Sequence, residues 1–176
     1  MLLVTMPLLL MAQTVPDARS ALECGKTCTV DEFDNRFSPR VEGLVDGAEA
    51  ATSSLGNDAF PADKQEGVNS IYSDALGALF ACQDLALRDF AKSNEPAETV
   101  VQAALGTCPK LKTDAQRAWR LFVRSRTPGV YLPQVLAKVT FPLESDDVRQ
   151  ILLSKVFRYR EANVAPMPKH TEKARR

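Results

Sequence analysis

The sequence predicts an all-α protein, a small bundle of about five helices that contains a disulfide-stapled helical hairpin. Apolar side chains recur at three- and four-residue intervals over several stretches, which places them on one face of a helix. Aromatic residues form only 7% of the chain, whereas sheet proteins favour aromatic and β-branched side chains. Proline, glycine and capping residues separate the periodic stretches. With 176 residues and 45% hydrophobic content, the chain suits one domain with a substantial core.

An apolar run at the start of the chain has the outline of a signal peptide. The run covers residues 1–12 and a polar stretch follows it. No basic residue precedes the run, and neither Ala12 nor Ala18 completes a strong small-x-small cleavage site. A buried N-terminal helix or an interfacial anchor is the alternative, although Pro7 interrupts the run. A transmembrane span is excluded because crossing a bilayer needs about 20 apolar residues.

The four cysteines predict two disulfides. An even number of cysteines without a histidine nearby is typical of disulfides in an oxidising compartment. If two helices turn near Asn94, Cys82 and Cys108 lie 12 and 14 residues from the turn. At a rise of about 1.5 Å per residue, they lie at nearly the same height on facing helices. Cys82–Cys108 is therefore the preferred bridge, and Cys24 pairs with Cys28.

Two other uses of the cysteines are less consistent with their spacing. A thiol-disulfide protein would use Cys24 and Cys28, but their C-x3-C spacing differs from the C-x2-C of thioredoxin-like sites and no βαβ pattern surrounds it. A four-cysteine zinc site would need paired knuckles, which gaps of 53 and 25 residues do not provide.

The first helix is expected to begin at Thr29, an N-cap residue followed by acidic side chains. Ser38 and Pro39 then resemble a second helix start, so the next apolar run is either a second helix or a kinked continuation. Gly43 and Gly47 in this run predict a place where another helix packs closely.

The strongest periodicity defines a helical hairpin. A broad apolar face runs through residues 68–92, after a polar, turn-rich loop over residues 56–67. A second face follows over residues 97–108, and the segment 93–96 supplies the turn between them.

Further helices are predicted over residues 111–126, from Pro133 and from Ser145, each beginning near a proline or a capping residue. The end of the chain is basic and too poor in apolar residues to pack. The predicted organisation is a signal peptide over residues 1–18, a helical domain over residues 19–163 and a basic disordered tail over residues 164–176.

Motifs for catalysis, metal binding or cofactor binding are missing from the sequence. The only histidine, His170, lies in the predicted tail, which disfavours Ser-His and Cys-His nucleophile pairs and most zinc sites. Phosphate-binding, dinucleotide-binding and hydrolase motifs are also missing. Acidic clusters begin at Asp31 and Glu42, but on faces expected to be hydrated, without the desolvation that a catalytic carboxyl needs. We expect no enzymatic activity and no cofactor.

Charge is divided unevenly along the chain. Residues 1–100 carry 7 basic and 16 acidic side chains, whereas residues 101–176 carry 15 basic and 6 acidic ones. The two halves are expected to attract each other within one fold or across a dimer. The alternative is that the basic half binds an anionic partner.

Two functional hypotheses follow for a periplasmic or secreted protein of this class. The first is a structural or protein-interaction module that binds another envelope protein or itself. The second is a binder of anionic envelope lipid or polysaccharide. Its candidate residues are Arg117, Arg120, Arg124, Arg158 and Arg160. Nucleic-acid binding is not expected from an exported chain that lacks a recognised motif.

Overall fold

The protein is all-helical in a computed structural model that describes residue 24 and residues 27–56 and 58–163. The predicted fold class is therefore confirmed. The helices are α1 (Val30–Thr52), α2 (Ala62–Phe90), α3 (Ala97–Leu105), α4 (Pro109–Arg126), α5 (Leu132–Leu136) and α6 (Asp146–Asn163), with 3-10 turns at Ser53–Leu55 and Pro142–Glu144.

The predicted signal peptide and the predicted basic tail lie outside the described residues. Among the helices that are described, none is both long and apolar enough to cross a membrane.

Helix α1 begins with the predicted cap. The Thr29 hydroxyl accepts a hydrogen bond from the Glu32 N–H at 3.3 Å, and the Glu32 carboxylate accepts one from the Thr29 N–H at 2.8 Å, which is a capping box. The helix then continues through Pro39, so the chain does not start a second helix there. Proline removes one backbone hydrogen bond, but Phe37 and Val41 on either side of it remain buried on the same face.

Two local predictions are wrong. Another helix does not pack against Gly43 and Gly47, because no atom lies within 4 Å of the position that a Cβ would take at either residue. The region 62–67 is helical rather than a loop, since α2 begins directly after Pro61. These first turns are mostly exposed and polar, so they carry no apolar periodicity from which a helix could be predicted.

Helices α1, α2 and α4 form a three-helix bundle. The Lys64 ammonium bonds to the Ala51 carbonyl at one end of α1, and Cys82 Sγ lies 3.7 Å from the Val30 carbonyl oxygen at the other, so α2 runs antiparallel to α1. The buried side chains of this first core include Phe33, Val45, Leu79, Leu111 and Ala115.

The C-terminal half of α2 enters a second core with α3 and α6. Its buried side chains are Ala86, Leu87, Ala91, Ala97, Val100, Val101, Ala104, Leu152 and Val156. Helix α2, with 29 residues, therefore contributes buried side chains to both cores.

The structure confirms both predicted disulfides, Cys24–Cys28 and Cys82–Cys108. One detail differs from the prediction, because α3 ends at Leu105 and Cys108 is instead the residue that precedes α4. Cys108 has a φ of 57°, in the left-handed region that non-glycine residues rarely adopt, and this conformation redirects the chain from α3 into α4. The disulfide therefore fixes α2 to the junction of two helices.

Helix α4 is capped by a residue of α1. The N-cap residue Cys108 makes no side-chain capping bond, and Pro109 has no N–H to donate. The Asp34 carboxylate accepts hydrogen bonds from the N–H groups of Lys110 at 3.2 Å and Leu111 at 2.9 Å. Asp34 is only 5% exposed, so these two hydrogen bonds satisfy a carboxylate that is largely removed from water.

We expect Asp34→Ala to lower the free energy of unfolding by about 2–3 kcal/mol, because two N–H groups at the start of α4 lose a charged acceptor. Urea denaturation followed by circular dichroism measures the effect. Asp31→Ala, which removes an exposed acidic residue from the first turn of α1, is the control and should cost about 1 kcal/mol or less. Equal losses in the two variants would contradict a capping role for Asp34.

A second polar cluster joins α2 to α6. The Asp84 carboxylate accepts hydrogen bonds from the Lys155 ammonium and the Tyr159 hydroxyl, both at 2.7 Å, and from Arg88 at 2.7 Å. Burial by itself raises the pKa of Asp84, but the hydrogen bonds from Lys155, Tyr159 and Arg88 together outweigh burial and lower the pKa below its ordinary value.

A carboxyl whose pKa is lowered by folding stabilises the folded state above its unfolded pKa, and this contribution is lost as the pH falls through the folded value. We therefore expect the unfolding free energy of the wild type to fall more than that of Asp84→Asn between about pH 5 and pH 2. Urea titrations at stepped pH measure this, with Asp89→Asn as the control because Asp89 is half-exposed in its pair with Lys92. Parallel pH curves for wild type and Asp84→Asn would show that the cluster has no such role.

Candidate protein-docking surface

Two of the five predicted anion-binding arginines hold α4 against α1. The Arg117 guanidinium donates to the carboxylates of Asp46 and Glu49, each at 2.5 Å. Arg124 donates to the Thr52 carbonyl at 3.1 Å. Helix α4 consequently lies parallel to α1, with these contacts continuing the alignment that begins at the Asp34 cap.

Arg160 is also used within the fold. Its guanidinium donates to the carbonyl oxygens of Ala91, Ser93 and Glu95 and so holds α6 against the turn between α2 and α3. Lys155 likewise forms an ion pair with Asp84. In each case a basic side chain from the second half of the chain binds a carboxylate or carbonyl oxygen of the first half. The acidic first half and the basic second half therefore attract each other within the fold, which was one of the two predictions from the uneven charge.

Arg120 and Arg158 differ from the other three arginines. Both are exposed, on α4 and α6, and neither forms a hydrogen bond or ion pair with another described residue. They are the two members of the predicted set that remain available for a partner.

An apolar segment over residues 128–140 lies on the surface. It contains a single charged residue, Lys138, and its helix α5 has no buried side chain. Tyr131 is 61% exposed, Val130 45% and Val139 41%. Single exposed apolar residues are common, but a continuous stretch with this composition is typical of an interaction site.

Local sequence chemistry explains why the segment leaves the core. Helix α4 ends at Arg126, after which Pro128 cannot continue it and Gly129 adopts a φ of 73°. Pro133 then lies in the first turn of α5, where the N–H it lacks would have no partner. Helix α5 is only five residues long, which is too short to bury a complete apolar face.

A cleft of about 340 Å³ lies between α4 and the apolar segment. Leu136 and Val139 line one side, and Trp119 of α4 lines the other, with its ring in a T-shaped contact with Phe141 at 5.7 Å. Arg120 also lines the cleft and adds a positive charge to it. The segment 128–140 together with Trp119 and Arg120 is called the docking surface below.

The sequence did not predict the docking surface. The sequence predicted a short helix from Pro133 and pointed to Arg120 as an anion-binding residue. It assigned no role to the apolar residues of the segment 128–140. The available signal was a stretch of 13 residues with one charge and no periodic apolar face.

Comparisons with known proteins do not name a function. No protein-family model, no curated protein and no solved structure matches this chain. All four cysteines are in disulfides, and the described residues contain no cluster of side chains suited to a metal ion. The functional proposal therefore rests on the geometry of the surface.

Proposed function

We propose that this chain is an exported helical protein-interaction module that binds a partner protein through the docking surface. The observation that carries the proposal is the exposure of Val130, Tyr131 and Val139 in one apolar segment. The end of this segment lines a cleft together with Trp119 and Arg120. Tryptophan, tyrosine and arginine are the residues that most often supply binding energy at protein interfaces.

The docking surface fits a partner segment of definite chemistry. An apolar side chain of the partner enters the cleft and packs against Trp119, Leu136 and Val139, while the exposed Tyr131 of the same segment adds contact area. A carboxylate of the partner next to this anchor pairs with Arg120, which forms no ion pair with the described part of its own chain. Burial of one large apolar anchor contributes about 1.5–3 kcal/mol.

Export is supported by two independent features. Disulfides persist mainly in oxidising compartments such as the periplasm or the extracellular space, and this chain has two. The apolar run over residues 1–12 has the outline of a signal sequence.

The alternative function, binding of an anionic envelope surface, has less support. Arg117, Arg124 and Arg160 are occupied within the fold, which leaves Arg120 and Arg158 of the five candidates. Two isolated surface charges give weak attraction at physiological ionic strength. Salt-sensitive binding to anionic vesicles that is lost in an Arg120→Ala, Arg158→Ala variant would favour this alternative.

We expect protein recovered from its native compartment to lack about the first 12 to 18 residues, because a signal peptide is removed on export. Intact mass with non-reducing peptide mapping measures the mature N-terminus and the cysteine pairing in one sample. A full-length chain with four free thiols in cells would contradict export.

We expect a photo-crosslinking amino acid at position 131 to give one discrete adduct with a partner protein in the native compartment. The same probe at position 98, which is exposed on α3 outside the docking surface, is the control and should give none. Val139→Asp places a charge in the cleft and should abolish the adduct while leaving the circular dichroism spectrum unchanged. Equal adducts at positions 131 and 98, or an adduct that survives Val139→Asp, would contradict the proposal.

A further inference from the structure

The exposed large apolar side chains of the described residues form two groups. Three of them belong to the docking surface, and the other two, Ile151 and Phe157, lie on α6. Phe157 is 56% exposed and Ile151 is 55% exposed. The chain therefore presents an apolar cleft on one surface and a large unburied aromatic ring on another.

Phe157 takes no part in the core of its own chain. Helix α6 packs against α2 and α3 through Leu152 and Val156, which are both buried. Phe157 is the next residue after Val156, so it lies about 100° farther around the helix, toward solvent. A single exposed apolar residue needs no explanation by itself. The charges that flank Phe157, however, match the charges of the cleft.

The outer face of α6 carries one acidic and one basic side chain next to Phe157. Glu161 lies four residues later, on the same face of the helix, and Arg158 follows Phe157 directly. Both are exposed, and neither forms a hydrogen bond or ion pair with another described residue. This face therefore offers a phenyl ring with a free carboxylate and a free guanidinium beside it.

The cleft of the docking surface has the opposite arrangement. Trp119, Leu136 and Val139 supply its apolar lining, and Arg120 and Glu144 supply one charge of each sign. Both charged residues are exposed, and their side chains form no ion pair with the rest of the described chain. The cleft therefore has an unpaired cation and an unpaired anion around an apolar site.

We propose that the partner of the docking surface is a second copy of this chain, which inserts Phe157 of its α6 into the cleft. Glu161 of that copy pairs with Arg120, and its Arg158 pairs with Glu144. This inference rests on the proposed function and names the partner. Because the contact joins two different surfaces, two copies related by a two-fold axis form it twice and leave neither surface free.

Sedimentation equilibrium of the purified, oxidised protein tests the self-association. We expect the average mass of the wild type to rise toward that of two chains with increasing concentration. Phe157→Asp and Val139→Asp should each weaken the association at least about 10-fold, since each places a charge in an apolar contact. Ala103→Asp adds the same charge at an exposed position on α3, outside both surfaces, and should have no effect. A wild type that stays monomeric, or equal effects of all three variants, would overturn the inference.

Exchange of the charges tests the pairing itself. We expect Arg120→Glu and Glu161→Arg to weaken the association about 10-fold each, because every dimer contains this pair twice. The double variant restores an attractive pair in the opposite sense and should associate within about 3-fold of the wild type. Additive losses in the double variant would overturn the assigned pairing.

The crosslinking amino acid at position 131 separates this inference from the proposed function. An adduct of two identical chains supports both of them. An adduct with a different protein overturns the inference and leaves the proposed function standing. The lack of any adduct overturns both.

Discussion

The hydrogen bonds from the start of α4 to the Asp34 carboxylate determine how the rest of the bundle is arranged. They place Lys110 and Leu111 against α1. Farther along α4, Arg117 and Arg124 bond to Glu49 and Thr52 in the C-terminal part of α1. Cys108 reaches this junction in a left-handed conformation. Because its disulfide ties it to α2, helices α1, α2 and α4 meet at one place. A covalent bond at Cys108 and a charged acceptor at Lys110 and Leu111 therefore act within four consecutive residues of the chain.

Helix α2 connects two cores of different character. Its first half packs in the three-helix bundle, and its second half packs with α3 and α6, where Asp84 adds a polar cluster. Gln83 lies between these regions and has no hydrogen-bond partner, although it is almost fully buried. Such a residue is tolerated only where surrounding structure holds it in place. The neighbouring Cys82 disulfide and the apolar residues of both cores provide that constraint.

The proposed docking surface arises from what the fold leaves unsatisfied. Tertiary structure uses Arg117, Arg124 and Arg160 internally, while Arg120 remains exposed beside the apolar segment that α4 cannot incorporate after Pro128. In the interior, the amide of Gln83 and the Oδ1 atom of Asn69 have no hydrogen-bond partner among the described residues.

The sequence by itself determined the all-α class, the Thr29 cap, the hairpin and both disulfides. These features depend on side-chain periodicity, on capping within one turn and on distances along helices, which neighbouring residues set. Tertiary structure alone decided the early start of α2, the cap that Asp34 provides and the isolation of Gln83. Asp34 bonds to a residue 77 positions away, and Arg117 pairs with one 68 positions away. Contacts at such separations depend on how whole helices pack, and no local pattern records them.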